Sequence, residues 1–168
     1  MTLHTGPNCN LNEHPPSPGF SGNPLSTTCT SSSGNNDGCG ISDTDANSYG
    51  QGFNANGGGV YARLWDSTGI KIWFFPRGSI PHDVTSGNPD PSSWSTPEAF
   101  WSTDSCDVAT HFYDHSLVID TTLCGDWAGA VYGSSGCPGT CQETVTDPSN
   151  FDSEFLSVLS ALMSQCTE

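Results

Sequence analysis

The chain has 168 residues, with eighteen acidic side chains against three basic ones and a formal net charge of −15. That balance excludes recognition of nucleic acid or of an anionic membrane through phosphate contacts, and no apolar stretch approaches the roughly 18 residues of a membrane span. With 19 glycines, 12 prolines and 33% hydrophobic residues, the composition predicts one soluble, loop-rich domain of β type, long enough to bury a core.

Residues 1–58 are dominated by turn chemistry. Pro15, Pro16 and Pro18 precede a Thr/Ser run and then Gly34-Asn35-Asn36-Asp37-Gly38. No period of 2 or 3.6 runs through this stretch, which predicts a long loop region held by Cys9, Cys29 and Cys39.

Residues 59–147 are predicted to carry the strands. Gly59–Trp65 and Ile70–Phe75 are rich in aromatic and β-branched residues, and Asp66-Ser67-Thr68-Gly69 between them predicts a β-hairpin. In the second strand Ile70, Ile72 and Phe74 share one face, while Lys71, Trp73 and Phe75 share the other. The first face is expected to be core and the second partly open. Trp94 and Trp101, flanking Pro97, are expected to anchor loops. Ser116–Thr121 predicts a further strand, and so do the residues around His111 and His115. On a strand, four residues apart means about 13 Å, so these two histidines are not expected to share a metal.

The tail, residues 148–168, changes period. After Pro148, the residues Phe155, Leu156, Leu159, Leu162 and Met163 recur at helical spacing, with Asp152 or Ser153 placed to cap a short helix.

Eight cysteines, at 9, 29, 39, 106, 124, 137, 141 and 166, suggest a secreted disulfide framework whose pairing the spacing leaves open. Zinc held by Cys137-Pro-Gly-Thr-Cys141 is the rival, disfavoured because no CxxC pair or finger-spaced histidine accompanies it. Neither a metal nor a cofactor is expected. An oxidising compartment requires export, yet no export signal opens the chain, so a leader removed earlier or a longer gene product is implied.

Several strings carry a resemblance. They are Met1-Thr-Leu-His-Thr5, Ser48-Tyr-Gly50 with Gly57-Gly-Gly-Val-Tyr-Ala62, Ile70-Lys-Ile-Trp-Phe-Phe-Pro-Arg77 and Ser79-Ile-Pro81. Cys124-Gly-Asp-Trp-Ala-Gly129 and Cys137-Pro-Gly-Thr-Cys141 complete the set. In order and spacing, from residue 1 to about 151, they resemble the fungal laminarinase-type endo-β-1,3(4)-glucanases of glycoside hydrolase family 16. The resemblance implies a β-jelly-roll sandwich whose concave sheet grips a glucan, and it covers the C-terminal half of that domain. The family's catalytic strand carries Glu-x-Asp-x-x-Glu, because retaining hydrolysis needs two carboxylates roughly 5–5.5 Å apart. The glutamates here are Glu13, Glu98, Glu143, Glu154 and Glu168, and no two stand at that spacing.

By resemblance, His4 faces the sugar cleft, Trp127 stacks on a glucose face and Asp126 bonds hydroxyls, while Trp73 is a further aromatic candidate. Each has an ordinary alternative: a histidine satisfied by nearby hydroxyls, core or packing tryptophans, and a turn aspartate. Arg77 is expected to pair with a carboxylate. Asp120 and Asp126 as newly recruited catalytic carboxylates would need a demanding change of geometry.

The expected fold is therefore an all-β, partial jelly-roll sandwich, disulfide-braced and completed by dimerisation. The expected function is a non-catalytic laminarinase-like half-domain that binds β-1,3-glucan weakly outside the cell. Its rivals are a β-glucanase subunit completed by a separate chain with the catalytic glutamates, and a scaffold or interaction protein that binds no sugar.

Overall fold

The computed structural model describes residues 1–119 and 122–151, with Trp127 described by its backbone only. Two units are present, Met1–His115 and the residues from Ser116 onward.

The first unit is built on two three-stranded sheets. The hairpin forms as the alternation of aromatic and β-branched residues predicts: β4, Gly59–Asp66, pairs antiparallel with β5, Gly69–Pro76, from Gly59 opposite Pro76 to Asp66 opposite Gly69. At the turn Asp66 accepts the Thr68 N–H at 2.8 Å. Gly69 has φ +142°, and a Cβ there would run into the Trp101 carbonyl oxygen, so this position requires glycine. On the other side of β5 lies β6, Ala99–Ser102, giving the order β4-β5-β6.

The second sheet is where the sequence predicts only loop. Thr2–Leu3 (β1), Asn23–Pro24 (β2) and Cys39–Ser42 (β3) form it in the order β1-β3-β2. Strands of two to four residues are too short to display a period of two. Disulfides Cys29–Cys39 and Cys9–Cys106 brace the unit, each with both sulfurs buried.

The core lies between the sheets. Ile41 of β3 joins Ile70 of β5, with Ala99 and Trp101 of β6, Val108, Phe112 and the four bridged cysteines; Met1, Leu3, Phe20 and Ile72 pack around them. The Trp101 indole N–H donates to the Cys39 carbonyl at 3.2 Å, tying one sheet to the other. Trp101 is thus a fully buried strand residue and not a loop anchor.

The outer face of β5 also departs from expectation. Lys71, Trp73 and Phe75 are all buried, because the returning segment 91–95 lays Trp94 edge-on against Trp73 and Phe75, at 5.1 and 5.2 Å between centroids. Alternation within a strand does not reveal whether a distant loop returns over one face. Short helices fill the connections: α1, Gly50–Ala55; α2, His82–Thr85; and α3, Val108–His111. His111 therefore ends a helical turn and does not lie on a strand.

In the second unit the predicted strand is missing over its described part. Residues 116–119 have no regular structure, and Leu117, Val118 and Ile119 are exposed. Among the described residues no strand pairs with them, and β propensity without a partner does not make a sheet. The unit's order comes instead from α4, Gly125–Val131, and α5, Cys141–Val145, joined by the Cys124–Cys141 disulfide. Thr140 and Glu143 form a reciprocal capping box on α5. A 3-10 turn covers Pro148–Phe151; the rest of the predicted tail helix, with its Asp152 or Ser153 cap, lies outside the described residues.

Candidate functional site

His4 follows directly on β1 and is exposed. Its backbone is fixed on both sides: Leu3 pairs with Cys39 of β3, and the Thr5 N–H donates to the Cys29 carbonyl at 2.9 Å. The Nδ1 atom lies 3.1 Å from the Ser31 hydroxyl. That hydroxyl is the neighbour which the ordinary alternative for His4 requires; Nε2 has no hydrogen-bond partner among the described residues.

Trp73 is on a different sheet, in the middle strand, and is 2% exposed. Its indole N–H donates to the Ser95 carbonyl at 2.8 Å and its ring is covered by Trp94. Both its donor and its faces are occupied by the protein, so in this structure it packs. Asp126 lies in the first turn of α4 with its side chain exposed. Trp127 is the next residue of that helix; its ring lies outside the described side chains. His4 and Trp73 belong to the first unit, Asp126 and Trp127 to the second.

The described glutamates have structural employment or stand in solvent. Glu143 closes the capping box, and Glu13 is exposed. Glu98 accepts the backbone N–H of Phe74 at 2.9 Å. Burial pushes its carboxyl up from the ordinary glutamate value and the charges of Asp43 and Asp45 add to this, while the hydrogen bonds from backbone N–H groups oppose it. Nearby, burial also raises the Tyr61 phenol, whose hydroxyl donates to the Ser48 carbonyl. Asp43 Oδ2 and Ser48 Oγ are buried with no hydrogen-bond partner among the described residues. This acidic cluster is not visible in the sequence because Glu98 stands more than 50 positions from Asp43 and Asp45.

Two shallow clefts of about 330 and 350 Å³ flank Lys71 on the sheet's outer face, and both include Ser17. His4 lines neither of them. The Lys71 ammonium lies 3.8 Å from Asp66 and 4.6 Å from the centre of the Phe100 ring, which compensates a largely buried charge. Among the described residues no carboxylate pairs with Arg77, contrary to expectation; its Nε donates to the Gly57 carbonyl at 2.9 Å.

The zinc alternative is overturned at Cys141, whose sulfur is bonded to Cys124. Cys137 is exposed and has no partner among the described residues. His111 donates from Nδ1 to the Asp107 carbonyl at 2.8 Å and from Nε2 to that of Pro7 at 2.9 Å. Those carbonyls raise its pKa by favouring the doubly protonated ring. Among the described residues no three His, Cys, Asp or Glu side chains are grouped to hold a metal. No described helix is long and apolar enough to cross a membrane.

The profile of the XgeA-like, catalytic GH16 domain matches residues 1–161. A probable glycosidase of Schizosaccharomyces pombe is 41% identical over 169 residues, covering 98% of this chain and 40% of its own length. The endo-1,3(4)-beta-glucanase xgeA of Emericella nidulans is 42% identical over 152 residues, which is 89% of this chain and 22% of that protein. Among solved structures, laminarinase 16A of Phanerochaete chrysosporium, with beta-glucans in its donor and acceptor sites, superposes with a TM-score of 0.82 at 42% identity. That match covers 90% of this chain and 52% of the laminarinase. An elongating GH family 16 beta-1,3-glucosyltransferase superposes at 0.78 with 40% identity. The chain thus spans about half the length of these solved structures and less than half of the curated relatives.

Proposed function

The chain belongs to the XgeA-like GH16 domains, and on that premise we propose that it is a β-1,3-glucan-binding, laminarinase-like half-domain that breaks no glycosidic bond by itself. The observation that carries this is a pairing of two facts. The fold superposes closely on a laminarinase crystallised with β-glucans, while residues 1–168 contain no Glu-x-Asp-x-x-Glu. Retaining hydrolysis without a carboxylate pair has neither nucleophile nor acid.

In this reading His4 offers Nε2 to a glucan hydroxyl, Trp127 stacks on the apolar face of a glucose ring and Asp126 accepts from hydroxyls. Trp73 contributes from beneath, by holding the sheet, and touches no sugar. Three disulfides support a place outside the cell, where such bonds persist. The sandwich is completed by a second copy of the chain: β4 is an edge strand, and Leu117, Val118 and Ile119 stand exposed in a row.

In one other reading a separate polypeptide brings the catalytic glutamates and the assembly is a β-glucanase. Affinity electrophoresis in gels with and without laminarin, with reducing-sugar release measured alongside, separates the possibilities. Retardation without sugar release, reduced by Trp127→Ala and His4→Ala, is the expected result. Absence of retardation leaves a scaffold role, and release by the purified chain overturns the proposal. Light scattering on the same sample reads the dimer directly.

A further inference from the structure

One loop grips His4 at both of its ends. The Cys29–Cys39 disulfide closes ten positions of sequence, and both cysteines are completely buried. Two positions inside the bridge at one end is Ser31, whose hydroxyl lies 3.1 Å from His4 Nδ1. Its backbone N–H donates to the Thr5 carbonyl at 2.9 Å, so the Ser31 side chain is carried on a segment bonded to His4's own neighbour. Immediately inside the bridge at the other end is Gly38, with φ +66°. A Cβ on Gly38 would stand 2.8 Å from His4 Nδ1 and 2.9 Å from Cε1, and would run into the Leu3 carbonyl. The Gly38 backbone therefore closes against the same edge of the imidazole that Ser31 occupies. Between its ends the loop is folded on itself by mutual backbone bonds between Ser32 and Asn35, at 2.8 and 3.0 Å.

We propose that the Cys29–Cys39 loop is a positioning device for His4, with Ser31 as the positioning residue: it holds Nδ1, Gly38 shields that edge, and Nε2 is the nitrogen turned outward. That Nε2 then meets a glucan hydroxyl rests on the function proposed above. An exposed imidazole left to itself flips about χ2 and exchanges tautomers. A ring held at Nδ1 presents one nitrogen in one orientation, which lowers the ordering cost of each sugar contact.

The test is nitrogen-15 correlation spectroscopy of the His4 ring in the full chain, combined with laminarin oligosaccharide titrations. In the unaltered protein the ring should show one dominant tautomer. Ser31→Ala should shift the His4 nitrogen signals toward the mixed tautomers of a free imidazole and weaken glucan binding roughly 2- to 10-fold, the range of one hydrogen bond. Ser31→Thr, which keeps the hydroxyl, should restore both. Unchanged His4 nitrogen signals in Ser31→Ala overturn the proposal. Shifted signals with unaltered glucan affinity confirm the positioning and instead remove His4 from the glucan site, so the two readings fail separately.

Discussion

The two disulfides of the first unit have the same chemistry and nearly the same burial, with Cys9, Cys29 and Cys39 at 0% exposure and Cys106 at 1%, but very different loops. Cys9–Cys106 spans 97 positions and Cys29–Cys39 spans 10. Loop-closure entropy gives about 4.7 kcal/mol for the longer loop and about 2.7 kcal/mol for the shorter one. Replacing either pair by alanines also removes two buried sulfurs, a cost that largely cancels between the variants. The double variant Cys9→Ala/Cys106→Ala should therefore be less stable than Cys29→Ala/Cys39→Ala by about 2 kcal/mol, roughly 30-fold in the unfolding equilibrium. Urea denaturation at neutral pH, followed by tryptophan fluorescence with the m-value of each variant fitted separately, measures the difference. A Cys29/Cys39 variant as unstable as the other would refute the entropic argument. It would mean that the short loop stabilises chiefly through native contacts, those around His4 among them.

Glu98→Gln keeps an acceptor for the Phe74 N–H and removes a charge that burial and the Asp43 and Asp45 carboxylates disfavour. Because the folded carboxyl titrates above its unfolded value, the native protein loses stability as pH rises through that window. The glutamine variant should consequently be the more stable one near neutrality, with the gain vanishing below the ordinary glutamate range; equal pH profiles would contradict the assignment. For His111 the dependence on pH has the same direction, in a higher window: its raised value means that its contribution is fully present below the ordinary histidine value and lost as pH climbs through the folded one. His111→Ala should thus lower the melting temperature more at about pH 5.5 than at about pH 8.5, measured by differential scanning fluorimetry. Trp101→Ala empties the space between the sheets and removes the indole bond to the Cys39 carbonyl, at a cost of about 3–5 kcal/mol; chemical denaturation of the variant checks it.

The hairpin was legible because its information is local. Alternating large residues around Asp66-Ser67-Thr68-Gly69 need only each other to form β4 and β5. The family was legible because its strings are long and ordered. What escaped depends on partners far along the chain. Pro91–Ser95 covers Trp73, β3 gathers two strands of two residues each, and Cys9 finds Cys106. Ser116–Ile119 failed in the opposite sense, since its β-branched run announces a strand that no described residue pairs with. Thr140-x-x-Glu143 is a helix-start signature visible in the sequence itself, and with the disulfide at Cys141 it marks α5 more clearly than any periodicity does. Of the candidate site, the sequence supplied His4 but not the Ser31 and Gly38 that flank it, because the loop bringing them there is closed only by a particular choice among the possible cysteine pairings.

The employment of Arg63, Lys71 and Arg77 has a consequence for the surface. Arg63 lies over the Trp65 ring at 5.9 Å, Lys71 sits against Asp66 and Phe100, and Arg77 holds the Gly57 carbonyl. Only Lys71 of the three is buried, and eighteen acidic side chains stand against them, so the exterior presents anions with little to balance them. Such a field repels uronate-bearing or sulfated polysaccharides and any second copy of itself, and it is indifferent to a neutral glucan. Added salt shortens its reach to about 10 Å at 0.1 M. Raising the ionic strength should thus strengthen pairing of the chain with itself while leaving neutral-glucan affinity flat, giving the surface a filter against charged polymers that requires no dedicated pocket.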